Sequence, residues 1–396
     1  MLSVWRTPGM PQLGLLSVVG FAGYAALLAV APLWAIRGGA SEAGGGLVNG
    51  VLLGATVLAQ LLVPRALAAF GTRRVLAAGL LLLGLPAPAY LLSDGLAWVL
   101  ALSALRGVGF GVLTVTGSAA AAHLVDPARR GRAIGAYGLA VAVPNLLLLP
   151  ASVPLAEGLG FAWVFWIAAL PVLGVPAALG LGAVLRDLGH DRPAPATSRA
   201  GRPDPRTLLV MVPPILVLFA VTMAGGGLLT FAPLLAGPTT AMALLLGMGL
   251  TATLARWLVG HVADRHGASR FLAPLLVVAA AATAGCAWAV HHRHPVALVV
   301  AATVLGISYG ALQNLTLVAA FAAAGPGRIP VASAGWNIGF DAGTASGAML
   351  VGALAASWSF PVAFVVMAAV LLATVLVTPF PRRLSARTQL SSGQAP

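Results

Sequence analysis

The chain is 396 residues long, 60% of them hydrophobic and only 8% charged, with a formal net charge of +13. A soluble domain of this length does not carry so little charge, so the composition excludes one and indicates an integral membrane protein. The basic balance marks no nucleic-acid surface either, because all 22 basic residues are Arg and their placement follows membrane topology.

Twelve apolar runs of about 19 to 28 residues each suffice to cross a hydrocarbon core roughly 30 Å thick. The first six lie at 13–35, 46–68, 75–93, 97–121, 134–156 and 162–185. The first is too long for a signal-peptide core and no small-residue cleavage site follows it, so it reads as a retained helix; it carries Tyr24. The fourth carries Arg106-Gly107-Val108-Gly109-Phe110-Gly111 and Thr114, with Arg106 roughly 14 Å into the run, and the fifth carries Asn145. Residues 187–206, rich in Arg, Pro and Asp without apolar periodicity, read as a flexible linker between six-helix bundles at 1–186 and 207–396.

The remaining runs lie at 208–235, 240–262, 271–291, 296–322, 332–356 and 361–380. The first of these holds Thr222. The next holds Arg256, about two turns before its end, and leads into Gly260-His261-Val262-Ala263-Asp264-Arg265-His266-Gly267, expected to form a tight charged turn. Cys286, the single cysteine, excludes an intrachain disulfide. His291, His292 and His294 form an outer-loop run that reads as solvated, and no metal site or cofactor is expected. The run at 296–322 carries Tyr309 and the adjacent amides Gln313-Asn314; the run at 332–356 carries Asn337 and Asp341.

Eighteen of the Arg residues fall in or beside segments on one side of this helix count, only Arg37 and Arg293 on the other, and Arg106 and Arg256 within runs. The positive-inside bias places both termini and the linker in the cytoplasm of a multi-pass cell-membrane protein, with residues 36–45 and 292–295 outside. Trp34, Trp98, Trp163, Trp288 and Trp358 fall near the outer run ends, where the headgroup layer suits indole.

The halves read as copies. Gly71, Arg73 and Arg74 match Gly267, Ser269 and Arg270 at an offset of 196, while Gly109-Phe110-Gly111 matches Ser308-Tyr309-Gly310 and Arg129 matches Arg328 at 199. Internal repeats are characteristic of secondary transporters. These motifs resemble those of the major facilitator superfamily, and more loosely its twelve-helix drug and metabolite efflux branches. The family's loop motif, glycine, then Asp-Arg, then glycine and basic residues, is nearly complete from Gly260 through Asp264, Arg265 and Gly267 to Arg270. In the first copy Pro64 and Ala68 stand for the glycine and the aspartate. The loop from Asp126 to Ala133 is also similar. The antiporter glycine pattern of the fifth helix keeps Gly138 and Pro144 but has Val143, Leu147 and Leu148 in place of later glycines, which weakens an antiport assignment.

The resemblance implies an all-α membrane protein of about twelve helices in two pseudo-symmetric bundles, and a cytoplasmic gate at Asp264, Arg265, Arg328, Gly260 and Gly267. An ionised side chain at mid-bilayer costs about 2.5 to 3.5 kcal/mol, so buried charges are functional candidates. Asp341 is the one acid at that depth, and Arg106 lies at a similar depth in the other half. The sharp reading makes them a proton-coupling pair; the plain one satisfies each within its own half. Arg256, with Gln60 in the matching place of the first half, reads as a structural or gate residue. Tyr24, Thr114, Asn145, Tyr309, Gln313, Asn314 and Asn337 are candidate substrate-binding residues, with Thr222 beside them; helix-to-helix hydrogen bonding explains a membrane amide equally well.

The expected function is secondary active transport of a small organic solute by alternating access, as proton-coupled efflux by a monomer whose partners are substrate, proton and lipid bilayer. The substrate reads as neutral or weakly charged and fairly apolar. A facilitator or nutrient importer of the same fold is the nearest alternative; a membrane-embedded sensor or an enzyme would need a receptor domain, metal cluster or nucleophile constellation.

Overall fold

The computed structural model describes residues 4–125, 130–188, 205–266, 269–324 and 329–378. Within them every regular element is helical: α1 (Met10–Leu28), α2 (Val30–Arg37), α3 (Glu42–Gly84), α4 (Leu96–His123), α5 (Arg130–Gly158), α6 (Phe161–Ile167) and α7 (Val175–Asp187), then α8 (Pro205–Leu235), α9 (Pro238–His266), α10 (Ser269–His291), α11 (Pro295–Ala324), α12 (Ile329–Ser357) and α13 (Phe360–Val375). In lipid every backbone polar group has to be satisfied within the chain, which leaves helices as the form for such apolar segments. Among the described residues ten stretches are long and apolar enough to cross a membrane, and Phe360–Val375 is a shorter apolar helix.

Three expectations about element boundaries need correction. The apolar runs at 46–68 and 75–93 are not separated by an open loop: helix continues from Glu42 to Gly84 and breaks only at Gly71, whose φ of 76° and ψ of 158° suit a residue without Cβ. The run at 13–35 divides at Ala29 into α1 and α2. Pro32 has no N–H for the carbonyl four residues back, and that carbonyl, Leu28 O, instead accepts from Asn49 Nδ2 at 2.7 Å. The run at 162–185 likewise divides into α6, a 3-10 turn at Leu170–Gly174 that contains Pro171, and α7.

The charged turn expected from Gly260 to Gly267 is largely helical, since α9 runs on to His266. That segment contains no Pro, and internal hydrogen bonding is the cheapest state for backbone at a membrane edge.

Packing inside each half is close. A Cβ on Gly107 or Gly111 of α4 would collide with the carbonyls of Leu52 or Thr56 on α3. One on Gly306 or Gly310 of α11 would collide with those of Met248 or Ala252 on α9. The glycines are related by 199 positions and the carbonyls by 196, the two offsets found in the sequence. Small residues let membrane helices approach until their backbones touch. A threonine adds a polar tie in each pair: Thr56 Oγ1 donates to Gly107 O at 3.0 Å, and Thr251 Oγ1 to Thr303 O at 2.8 Å.

The apolar core divides in the same way. One cluster is drawn wholly from residues between Val217 and Leu371, and two others almost wholly from residues before Leu185. The α1–α7 and α8–α13 sets touch chiefly through α3 with α12 and α5 with α9. At one end the approach is tight: Gly46 lies against Ala348 O, Gly50 against the Met349 side chain, and Gly352 against Glu42 O. Asn49 Nδ2 also donates to Thr230 Oγ1 of α8 at 2.8 Å. Along the same helical face of α3, Gln60 is still buried but Pro64 and Ala68 are exposed. The contact between the sets therefore ends before the break at Gly71, and a gap between them opens there.

Candidate functional site

Asp341 sits at mid-height, at the head of the gap where the two sets still touch. It lies about 18 Å from the start of α12 and about 24 Å from its end by helical rise, and it is buried. Its Oδ2 accepts from Gln60 Nε2 at 2.7 Å. The same amide nitrogen reaches Thr114 Oγ1 at 3.3 Å, while Gln60 Oε1 is buried without a partner. One amide of the N-terminal set thus holds the carboxyl of the C-terminal set. Tyr24 and Tyr309 both lie within electrostatic reach of Asp341.

Arg106 does not pair with Asp341 in this structure. It is fully buried, its Nη2 donates to Gly23 O at 2.7 Å, and its Nε and Nη1 have no partner. Among the described residues the one ion pair joins Arg37 and Glu157. Arg106 is thus tied within its own set, where Tyr90 lies within reach of its charge and shares a 2.8 Å hydrogen bond with Ser103.

A second group gathers around Arg256. Its Nη1 donates to Gln313 Oε1 at 3.2 Å, its guanidinium lies 5.9 Å from the Trp336 ring centroid, and its main-chain carbonyl accepts from Asn314 Nδ2 at 2.6 Å. Adjacent amides on α11 therefore hold both the side chain and the backbone of one residue on α9. Arg256 and Gln60 stand 196 positions apart, and their partners Gln313 and Thr114 stand 199 apart. The repeat has placed a cation and an amide at equivalent points of the two halves.

Aromatic rings complete the walls. Tyr24 stacks on Phe110 with centroids 3.9 Å apart, and Phe21 meets Phe110 edge-on at 5.4 Å. In the other set Trp336 stacks on Phe340 at 5.7 Å and Tyr309 meets Phe340 edge-on at 6.4 Å. Gly225 is what admits the Tyr309 ring, since a Cβ there would collide with it.

Of the other candidates, Asn145 donates to Val141 O at 2.8 Å, Asn337 to Ser333 O at 2.9 Å and Thr222 to Leu218 O at 2.9 Å, each within its own helix. Gly260, Asp264 and Arg265 lie on the last two turns of α9, while Gly267 and Arg328 lie outside the described residues. Sequence reasoning named Gln60 only as the counterpart of Arg256 and overlooked Phe110, Trp336 and Phe340. The i, i+4 spacing of Trp336 and Phe340 was available as a signal for one helical face.

The geometry is a gap between two repeated helical sets, closed at one end, with a carboxyl and a cation on its walls. No curated protein matches the chain. Among solved structures, a peptide transporter, POT, crystallised as a point variant with sulfate, superposes with a TM-score of 0.75 at 17% identity, covering 94% of both chains. A bacterial homolog of the human lysosomal transporter Spinster, in an inward-facing and unoccupied conformation, superposes with a TM-score of 0.68 at 14% identity, covering 93% of this chain and 94% of that one. At such identities the likeness establishes the fold. The family profile described as Major Facilitator Superfamily matches residues 13–328 and 236–395. This multi-pass membrane protein belongs to the major facilitator superfamily.

Proposed function

We propose that the chain is a secondary active transporter that exports a small organic solute in exchange for protons. The substrate path is the gap between the two helical sets, and Asp341 is the proton carrier. In this reading the chain crosses the bilayer twelve times, with Glu42–Leu92 counted as two crossings and both termini and residues 187–206 in the cytoplasm. The end sealed by Gly46, Gly50, Asn49 and Thr230 then faces outward, and the open end faces the cytoplasm.

The observation that carries the reading is the Asp341–Gln60 contact. A buried carboxyl that bonds across two bodies changes its environment whenever those bodies separate, and the charge state of such a group is thereby linked to conformation. One charge moved across 100 mV is worth about 2.3 kcal/mol, enough to drive a useful solute gradient. The lost glycines of α5 do not argue against it, because the linkage needs only a titratable group and two states.

Proteoliposomes test it. Asp341→Asn, a near-isosteric neutral side chain, is expected to abolish uphill transport and its dependence on a pH gradient while leaving solute exchange partly intact. Exchange returns the carrier loaded, so it does not require proton release. Uphill transport by Asp341→Asn with the pH dependence of the unaltered protein would sink the proposal.

A further inference from the structure

Among the residues whose side chains are described, Arg256 has no counter-ion beside the gap. Gly249 lies seven residues earlier on the same face of α9 and approaches Leu146 of α5, so this face is turned toward the other helical set. Unlike the buried Arg106, Arg256 is exposed, and no carboxylate among the residues whose side chains are described lies within ion-pair distance of it. Among the residues whose side chains are described, its one side-chain hydrogen bond is to a neutral amide. A guanidinium carries five N–H donors, so most of its capacity remains uncommitted among those residues.

The surroundings are held in place. Gln313 fixes the guanidinium from α11, and Asn314 fixes the Arg256 backbone. The Trp336 indole N–H is already spent on Thr316 Oγ1 at 3.1 Å, and the ring itself is buried, so it is fixed behind the cation. It stacks on the half-buried Phe340, and the aromatic pair backs the guanidinium. Simple snorkelling to the membrane edge would send the side chain along α9; instead it turns inward across α11 and α12.

We propose that the ligand of this group is an organic anion, a carboxylate or sulfonate held by Arg256, with an apolar body packed beside the half-buried Phe340. Planar guanidinium and carboxylate or sulfonate oxygens match in a two-point hydrogen-bonded fork, the strong form of such contacts. The inference rests on reading the gap as the solute path, but requires neither proton coupling nor a particular direction of transport.

Four probes of one shape and different charge test it on the purified full chain: naphthoate, naphthalenesulfonate, naphthylmethanol and naphthylmethylamine. Binding is read by ligand-induced thermal shift in detergent and transport by counterflow in proteoliposomes. At least one anion is expected to bind at least tenfold more tightly than the alcohol and the amine. Arg256→Gln should erase that preference and Arg256→Lys should keep part of it. The charge series on the unaltered protein needs no variant, so it decides the matter even if Arg256→Gln does not fold. Equal or better binding of the alcohol or amine, unchanged anion binding by Arg256→Gln, or no binding of either anion would each overturn the proposal. Anion binding of the expected pattern without exchange of any probe would instead support the site and remove its reading as a transport path.

Discussion

At the scale of single residues, the consequential contact is one that links two side chains 281 positions apart, Gln60 and Asp341. A hydrogen bond to a charged group contributes about 1.5 to 3 kcal/mol. Removing the donor with Gln60→Leu is therefore expected to shift the balance between the two access states roughly ten- to hundredfold, on the scale of 1.4 kcal/mol per factor of ten, and to change turnover with it. Thr114→Val, which removes only a 3.3 Å contact, should cost far less. Initial-rate measurements of uptake into proteoliposomes compare the two, and equal turnover of both variants would remove Gln60 from the mechanism. The sequence pointed to Asp341 because no other acid lies deep in an apolar run. It pointed to Arg106 by the same logic, yet depth does not say which partner a side chain reaches: Arg106 turns to Gly23 O. Hydrophobicity is legible residue by residue, whereas pairing between distant helices depends on their rotation about their own axes. Nor does the sequence alone show Arg256 turned inward to Gln313.

At the scale of elements, the repeated glycine contacts set the distance between α9 and α11. Gly310→Ala would drive a methyl into Ala252 O, an overpacking expected to cost about 1 to 3 kcal/mol. Gly138→Ala on α5 meets nothing within 4 Å and gains about 1 kcal/mol of helix propensity, so it should be neutral or stabilising. Thermal unfolding in detergent separates them: Gly310→Ala melts several degrees lower, and Gly138→Ala does not. Equal melting temperatures would show that the helices part without penalty. The glycine spacing of α4 and α11 was legible in the sequence as a repeat. The helical continuation through Gly260–His266 was not, because a glycine and adjacent charges signal a turn as readily as the last turns of a helix.

For the whole molecule, the arrangement predicts which end is shut. Asn49 on α3 and Thr230 on α8 are joined by a 2.8 Å hydrogen bond and belong to different helical sets. Cysteines at both positions, in a Cys286→Ser background, are expected to be joined by a short disulfide-containing bifunctional thiol reagent, since the side chains they replace meet at 2.8 Å. A cross-link there should fix this end closed and stop transport, because alternating access requires each end to open in turn. Reduction should restore flux. The opposite end should stay open in the cross-linked protein, so a cysteine introduced at Ala68, exposed on α3, should react with a maleimide reagent as fast as before or faster. Full transport with the cross-link intact would show that the two sets do not part at this end, and the rocking of one half against the other would have to be abandoned. The same cysteine-free background orients the molecule: Ser198→Cys in the linker should label only after the cell membrane is breached, and labelling from outside intact cells would invert the proposed topology.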